Sequence, residues 1–292
     1  MFCGYFAAVV SPFKGSRLDL VAFEKYLAYL ITGGISGIVV CGSTGEFVLL
    51  SPEEKLELIL TASAIARGKV KVIAGILDPS TENCVSLMRK SENFVDGFLC
   101  ICPFFLKPSQ SQIYAHFEML NTATQHPIII YNNPARAGVG LDFETFIKLC
   151  QLKNIVAIKE CATDLSVFVR WRAAAESFGK KIDFLAGNDE AAAAAIAMGA
   201  AGAISVSANV APVLSQRMYA ALNQGNMETF KALRDDLAPL HQLMFEEPSP
   251  APVKYALSRL GILENELRMP LFPIGSILQE KIDLWLQKIG LL

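Results

Sequence analysis

Ile155-Val156-Ala157-Ile158-Lys159-Glu160 decides the fold: an apolar run without polar alternation that stops on a lysine. Strands read this way when helices cover both faces of a parallel sheet. Working outward, seven more short runs have the same character: Phe6–Val10, Gly37–Val40, Val70–Ala74, Gly97–Ile101, Ile128–Tyr131, Phe184–Ala186 and Ala203–Val206. Longer helical patterns separate them. Eight buried strands alternating with helices predict an α/β chain folded as a closed (β/α)8 TIM barrel. A doubly wound open sheet is the competitor. It calls for fewer strands and a Gly-rich nucleotide fingerprint, and the chain carries no such fingerprint.

Helix starts are marked along the chain. Ser51-Pro52-Glu53-Glu54 sets a capping serine before a proline and a glutamate, and Ser109-Gln110-Ser111-Gln112 repeats the box. Asn188 or Asp189 can cap the alanine-rich stretch that follows. Beyond Val206 there are more residues than an eighth helix needs. Met227–Phe245, Ala251–Leu260 and Ser276–Ile289 look helical, set apart by Pro248, Pro250, Pro252, Pro270 and Pro273. The expected organisation is a barrel over 1–224 and a helical extension packed on it over 225–292.

The 292 residues are 52% hydrophobic and 18% charged, enough apolar material for a large core. A net charge of -2 with no Lys/Arg block argues against nucleic acid and for small-molecule substrates. No apolar run reaches bilayer length, so no membrane partner is expected. Met1-Phe2-Cys3-Gly4 lacks the basic start and apolar stretch of a signal peptide. The seven scattered cysteines read as free thiols in a reducing cytoplasm. The three histidines, His116, His126 and His241, are far apart, so no metal site is expected.

Barrel chemistry sits at the C-terminal ends of strands and in the loops after them. Three such ends stand out. Lys159 closes an apolar strand, where a buried amine becomes easier to deprotonate and can attack a ketone. Gly42-Ser43-Thr44-Gly45-Glu46 follows the second strand, with two hydroxyls between glycines that suit a carboxylate. Tyr131 ends the fifth strand as a potential proton relay, and Arg136 follows as a potential anion clamp. Each has a bland counterpart: a solvated lysine, an ordinary turn, a packed aromatic, a surface charge. Together they supply what a keto-acid enamine needs.

These residues resemble the dihydrodipicolinate synthase family, within the N-acetylneuraminate lyase superfamily. The anchors are Gly42-Ser43-Thr44-Gly45-Glu46, Tyr131-Asn132-x-Pro134-x-Arg136-x-Gly138, Ile158-Lys159-Glu160, Ile204-Ser205-Val206-Ser207-Ala208-Asn209 and Glu247-Pro248-x-Pro250-x-Pro252-Val253-Lys254. The resemblance implies condensation of pyruvate with aspartate semialdehyde, on the route to diaminopimelate and lysine. It implies Lys159 as Schiff-base lysine, Tyr131 as proton shuttle, and Ser43 and Thr44 on the pyruvate carboxylate, with Ser43 also in the relay. Arg136 would bind the aldehyde's carboxylate, while Gly187 and Ile204 would supply backbone contacts. It implies no metal or organic cofactor, and a homotetramer built from tight dimers.

One departure is serious. Phe105 stands where the family places a tyrosine that completes the relay in the neighbouring subunit. Two other readings are weighed: a sialic acid or keto-deoxy-sugar aldolase, against which Arg136 argues, and a non-catalytic keto-acid binder, which Phe105 alone supports. In lysine-sensitive relatives an effector cleft lies between the subunits of the tight dimer. The positions that correspond here are Pro52, Lys55, Pro79, Asn83 and Phe104, a set poor in anions, so weak lysine inhibition is expected.

Overall fold

The structure, a computed structural model, describes residues 2–162 and 164–292. Eight parallel strands close into a barrel: β1 Gly4–Ala8, β4 Gly37–Val40, β5 Lys71–Ile76, β6 Gly97–Ile101, β7 Ile128–Asn132, β8 Ile155–Glu160, β9 Asp183–Ala186 and β10 Gly202–Ser205. Between β1 and β4 lies a small antiparallel hairpin, β2 Phe13–Lys14 with β3 Arg17–Leu18. The ring runs β1-β10-β9-β8-β7-β6-β5-β4 and closes where Phe6 pairs with Gly37. All eight predicted runs are barrel strands, because each is buried from both sides: every residue of β1, β4, β6 and β7 is buried. A large apolar side chain taken out of water in this way contributes about 2 kcal/mol.

The ends differ from expectation by a residue or two, for local reasons. The first strand starts at Gly4, whose φ of 89° brings it against β10, where its N–H meets the Ala201 carbonyl at 2.9 Å. A Cβ there would fall 2.0 Å from Ser36 Oγ, so only glycine fits. The last strand stops at Ser205, because the Val206 N–H turns to the Asp189 carboxylate at 3.0 Å. Asp189 therefore braces the β10 loop. Asn188 caps the helix Asp189–Ala197, accepting from the N–H groups of Glu190 and Ala191.

The capping boxes at Ser51 and Ser109 both form and start the helices Pro52–Ala66 and Gln110–Ala123. At the C-terminal end the helices are Met227–Leu243, Ala251–Arg259 and Ser276–Ile289. Leu237, Leu240, Ile282 and Leu286 are fully buried and belong to the same apolar cluster as Phe6 and Ile38 of the barrel. Trp285 ties two of these helices, its Nε1 donating to the Asp236 carbonyl at 3.0 Å. Among the described residues no helix is long and apolar enough to cross a membrane.

Candidate active site

Tyr131 and Lys159 are register partners at the ends of β7 and β8. Side chains alternate along a strand, so Lys159 and its neighbour Glu160 take opposite faces. The Lys159 side chain is buried, with Nζ 4.5 Å from the centre of the Tyr131 ring. Gly187, just past β9, leaves room for it: a Cβ there would stand 3.0 Å from Lys159 Cγ and Cε, and 2.4 Å from Cys161 Sγ.

The Tyr131 hydroxyl lies 3.4 Å from Ser43 Oγ and accepts from Asn133 Nδ2 at 3.1 Å. Ser43 is brought there by a tight loop after β4. Cys41 and Glu46 have positive φ, 57° and 56°, conformations that cost roughly 1–3 kcal/mol each outside glycine. The turn is held by Gly45 N–H to the Gly42 carbonyl at 3.0 Å, Glu46 N–H to the Ser43 carbonyl at 3.2 Å, and Ser11 Oγ to the Gly45 carbonyl at 2.7 Å. Thr44 is buried in the same turn. Asn133 also accepts from the Arg136 N–H and so caps the short helix Pro134–Ala137. Arg136 projects from that helix, exposed, and lines two cavities. One is walled by Ser43, Phe47, Ile101 and Phe104, the other by Asn133, Cys161, Gly187, Glu190 and His241.

Glu160, on the outward face, receives Asn132 Nδ2 at 2.7 Å and the Ala162 N–H at 2.8 Å. Burial raises its carboxyl above the ordinary range, and these donors pull the other way. The pair fixes the strand end that carries Lys159.

The structure therefore gathers Lys159, Tyr131, Ser43, Thr44, Arg136 and Gly187 at one mouth of the barrel. The Gly187 N–H is already given to the Glu160 carbonyl at 2.7 Å, which leaves its carbonyl for the site. Ile204 lies inside β10, 1% exposed, and lines neither cavity. The five positions read as an effector set do not come together on one chain. Pro52, Lys55 and Asn83 share a cavity with Asp78 and Lys90, whereas Phe104 lines the cavity of Ser43.

Three residues that the fold brings to the site are not marked by the sequence. Asn133 falls at an open position of the motif, and only the fold shows its amide bonded to both the Tyr131 hydroxyl and the Arg136 N–H. Cys161 follows Lys159 by two positions and returns to the site, where burial pushes its thiol up to about 11 while the Lys159 ammonium pulls it down. Glu46 is paired with Lys254, both side chains fully buried, and nothing local to either residue signals the other.

A family model described as the dihydrodipicolinate synthetase family matches residues 1–289. A 4-hydroxy-tetrahydrodipicolinate synthase of Parvibaculum lavamentivorans is 37% identical over 100% of both chains. The solved dihydrodipicolinate synthase of Thermotoga maritima superposes with a TM-score of 0.96, at 34% identity over 100% of both chains. A chloride-inhibited dihydrodipicolinate synthase from Acinetobacter baumannii, complexed with pyruvate, gives 0.94 at 31% identity over 100% of both. The chain belongs to the dihydrodipicolinate synthetase family.

Proposed function

We propose that this chain is a lyase, a 4-hydroxy-tetrahydrodipicolinate synthase, condensing pyruvate with aspartate semialdehyde in lysine and diaminopimelate biosynthesis. The observation that carries the reading is the buried Lys159 amine beside Tyr131, whose hydroxyl is 3.4 Å from Ser43 Oγ. The amine attacks the ketone carbon of pyruvate and water leaves, giving an imine. Its protonated form draws electrons from the adjacent methyl group, which gives up a proton to form an enamine. The enamine carbon attacks the aldehyde carbon, and the new alkoxide takes a proton. The amino group of the aldehyde then attacks the imine carbon and displaces the Lys159 amine, closing the ring and freeing the enzyme. Tyr131 and Ser43 form the path for these protons.

The pyruvate carboxylate sits on Ser43 and Thr44, in a turn whose glycines allow close approach. Arg136 makes no ion pair among the described residues and is free to take the aldehyde's carboxylate bidentately. The Gly187 carbonyl completes the surroundings. The chemistry draws on the chain's own amine and calls for no metal or organic cofactor. We place the enzyme in the cytoplasm, where its free thiols stay reduced; all seven cysteines are unpaired and five are buried. A homotetramer of tight dimers is supported by Phe105 and Leu106, 86% and 67% exposed beside the site.

A polyol-aldehyde aldolase is the second reading, favoured by the polar outer cavity with Asn188, Glu190 and Gln242. The test for the mechanism is borohydride reduction with pyruvate, followed by peptide mass spectrometry. A reduced pyruvate adduct on the Lys159 peptide, lost in Lys159→Ala, is expected. An adduct unchanged by that substitution, or none at all, sinks the assignment. The aldehyde is identified by product mass from a panel that includes aspartate semialdehyde.

A further inference from the structure

The turn that carries Ser43 and Thr44 ends in Glu46, and both of its carboxylate oxygens are engaged from the C-terminal part of the chain. Lys254 Nζ sits 2.5 Å from Oε1, both side chains fully buried, and the Arg268 N–H reaches Oε2 at 3.2 Å. Lys254 also donates to the Glu266 carbonyl at 2.8 Å and lies 4.1 Å from the centre of the Phe13 ring. The Arg268 guanidinium lies 4.4 Å from the same ring, donates to the Leu49 carbonyl at 2.9 Å, and pairs with Glu54. The Glu266 carboxylate receives the N–H groups of Gly15 and Ser16. The β2–β3 hairpin, the substrate turn and the segment 264–268 thus meet in one ionic knot. None of these groups touches Lys159 or Tyr131.

Stability alone is a poor account of a fully buried ion pair. Desolvating two charges costs several kcal/mol per ion, and apolar replacements of similar volume are often neutral or stabilising. What such a pair supplies is position: the Lys254 ammonium stands against one oxygen and the Arg268 N–H holds the other. Glu46 needs that constraint, because its backbone holds a positive φ directly after the residues that face the substrate.

We infer that the Glu46–Lys254 pair is a positioning device that holds Ser43 and Thr44 in place for the keto-acid carboxylate. The helix Ala251–Arg259, which bears no reacting group, thereby sets affinity for pyruvate. Burial draws the Lys254 amine down to about 8, and the Glu46 carboxylate works against that shift, so the two charges depend on one another. The inference rests on the assignment of Ser43 and Thr44 to pyruvate made above.

The experiment measures borohydride labelling of Lys159 across a pyruvate titration, in the parent, Glu46→Gln, Lys254→Met and the double variant. Steady-state constants for the aldehyde and thermal melts accompany it. A turn displaced by an ångström raises half-saturating pyruvate by about ten- to a hundred-fold in each single variant. The aldehyde KM should stay within about twofold, since Arg136 stands on a separate helix. The double variant, with neither charge left alone, should label more like the parent than Lys254→Met does. If Lys254→Met does not fold, Glu46→Gln decides, because it keeps the shape of the side chain. Labelling that saturates as in the parent overturns the inference while leaving Lys159 as the imine lysine. Equal losses for both substrates with a lowered melting temperature also overturn it, as a merely structural role. A parent that takes no label removes the Lys159 reading, and this inference falls with it.

Discussion

The Lys159 amine stands 4.5 Å from the centre of the Tyr131 ring, on adjacent parallel strands where the two residues are register partners. A ring face attracts cations, and under the proposed mechanism a protonated imine would stand beside this one. The same ring carries its hydroxyl to within 3.4 Å of Ser43 Oγ, so under the proposed mechanism one side chain would both seat the reacting nitrogen and lead protons away. A partner in register cannot drift without the two strands sliding, which the closed barrel resists.

Tyr131→Phe keeps the ring and removes the hydroxyl that meets Ser43 and Asn133. We expect kcat to fall by about 10²–10⁴-fold, the usual contribution of one positioned acid–base group. Labelling of Lys159 by pyruvate and borohydride should persist, at a lower rate. A change of less than twofold in kcat means that Tyr131 does not carry the proton.

Arg136→Ala should raise the KM for aspartate semialdehyde by one to two decades and that for pyruvate much less. The loss of a charged hydrogen bond of about 1.5–3 kcal/mol has that size. Initial rates with each substrate varied in turn decide it. Equal effects on both point instead to the helix Pro134–Ala137 as a structural support.

Phe105 is 86% exposed and holds a φ of 69°, an uncommon conformation for an aromatic residue. Phe105→Tyr restores the missing hydroxyl with little change in volume, and kcat should rise by about tenfold or more if that group completes the relay. If the ring serves a neighbouring subunit's site, as the proposed assembly requires, the gain should vanish at enzyme dilutions that separate subunits. A folded variant that gains nothing shows that another group already moves the proton.

Free lysine should inhibit weakly. In the cavity of Pro52, Lys55 and Asn83, Lys55 presents a like charge, 3.7 Å from the centre of the Phe47 ring. The carboxylate nearby, Asp78, already accepts from the Ser80 N–H at 2.9 Å and Asn83 Nδ2 at 3.3 Å. A lysine titration of initial rates at saturating pyruvate checks this. Half-inhibition at sub-millimolar lysine overturns it.

His116 makes acid stability a test of the core. Its ring is buried, with Nδ1 2.9 Å from Thr81 Oγ1, and burial lowers its pKa from 6.5 to about 4. The unfolded chain gains a proton at this residue below pH 6.5, and the folded chain does so only near pH 4. Stability is therefore constant above that window and falls as pH drops through it, by roughly 3 kcal/mol in all. His241, also buried and lowered, adds in the same direction. Urea midpoints at pH 7.5 and 4.5 should show a smaller difference in His116→Asn than in the parent.

Strand number and order were legible because Ile128–Tyr131 and Ile155–Lys159 bury both faces, and a doubly covered strand needs unbroken apolar sequence. The helix at Pro52 was legible because a capping box is satisfied within four residues. Lys159, Tyr131, Ser43 and Arg136 could be picked out for the same local reason: each lies at a strand end or in the loop after one, and strand ends line the mouth of a barrel. Tertiary structure alone decided the rest. Asn133 gains its role only when a bent loop aims its amide at the Tyr131 hydroxyl. Lys254 meets Glu46 only when the C-terminal helices close against the Gly42–Glu46 turn. Local pattern reports what a residue buries and how its backbone is capped. Pairing between charges distant in the chain is set by the packing that brings their elements together, and neither charge carries a mark of its partner.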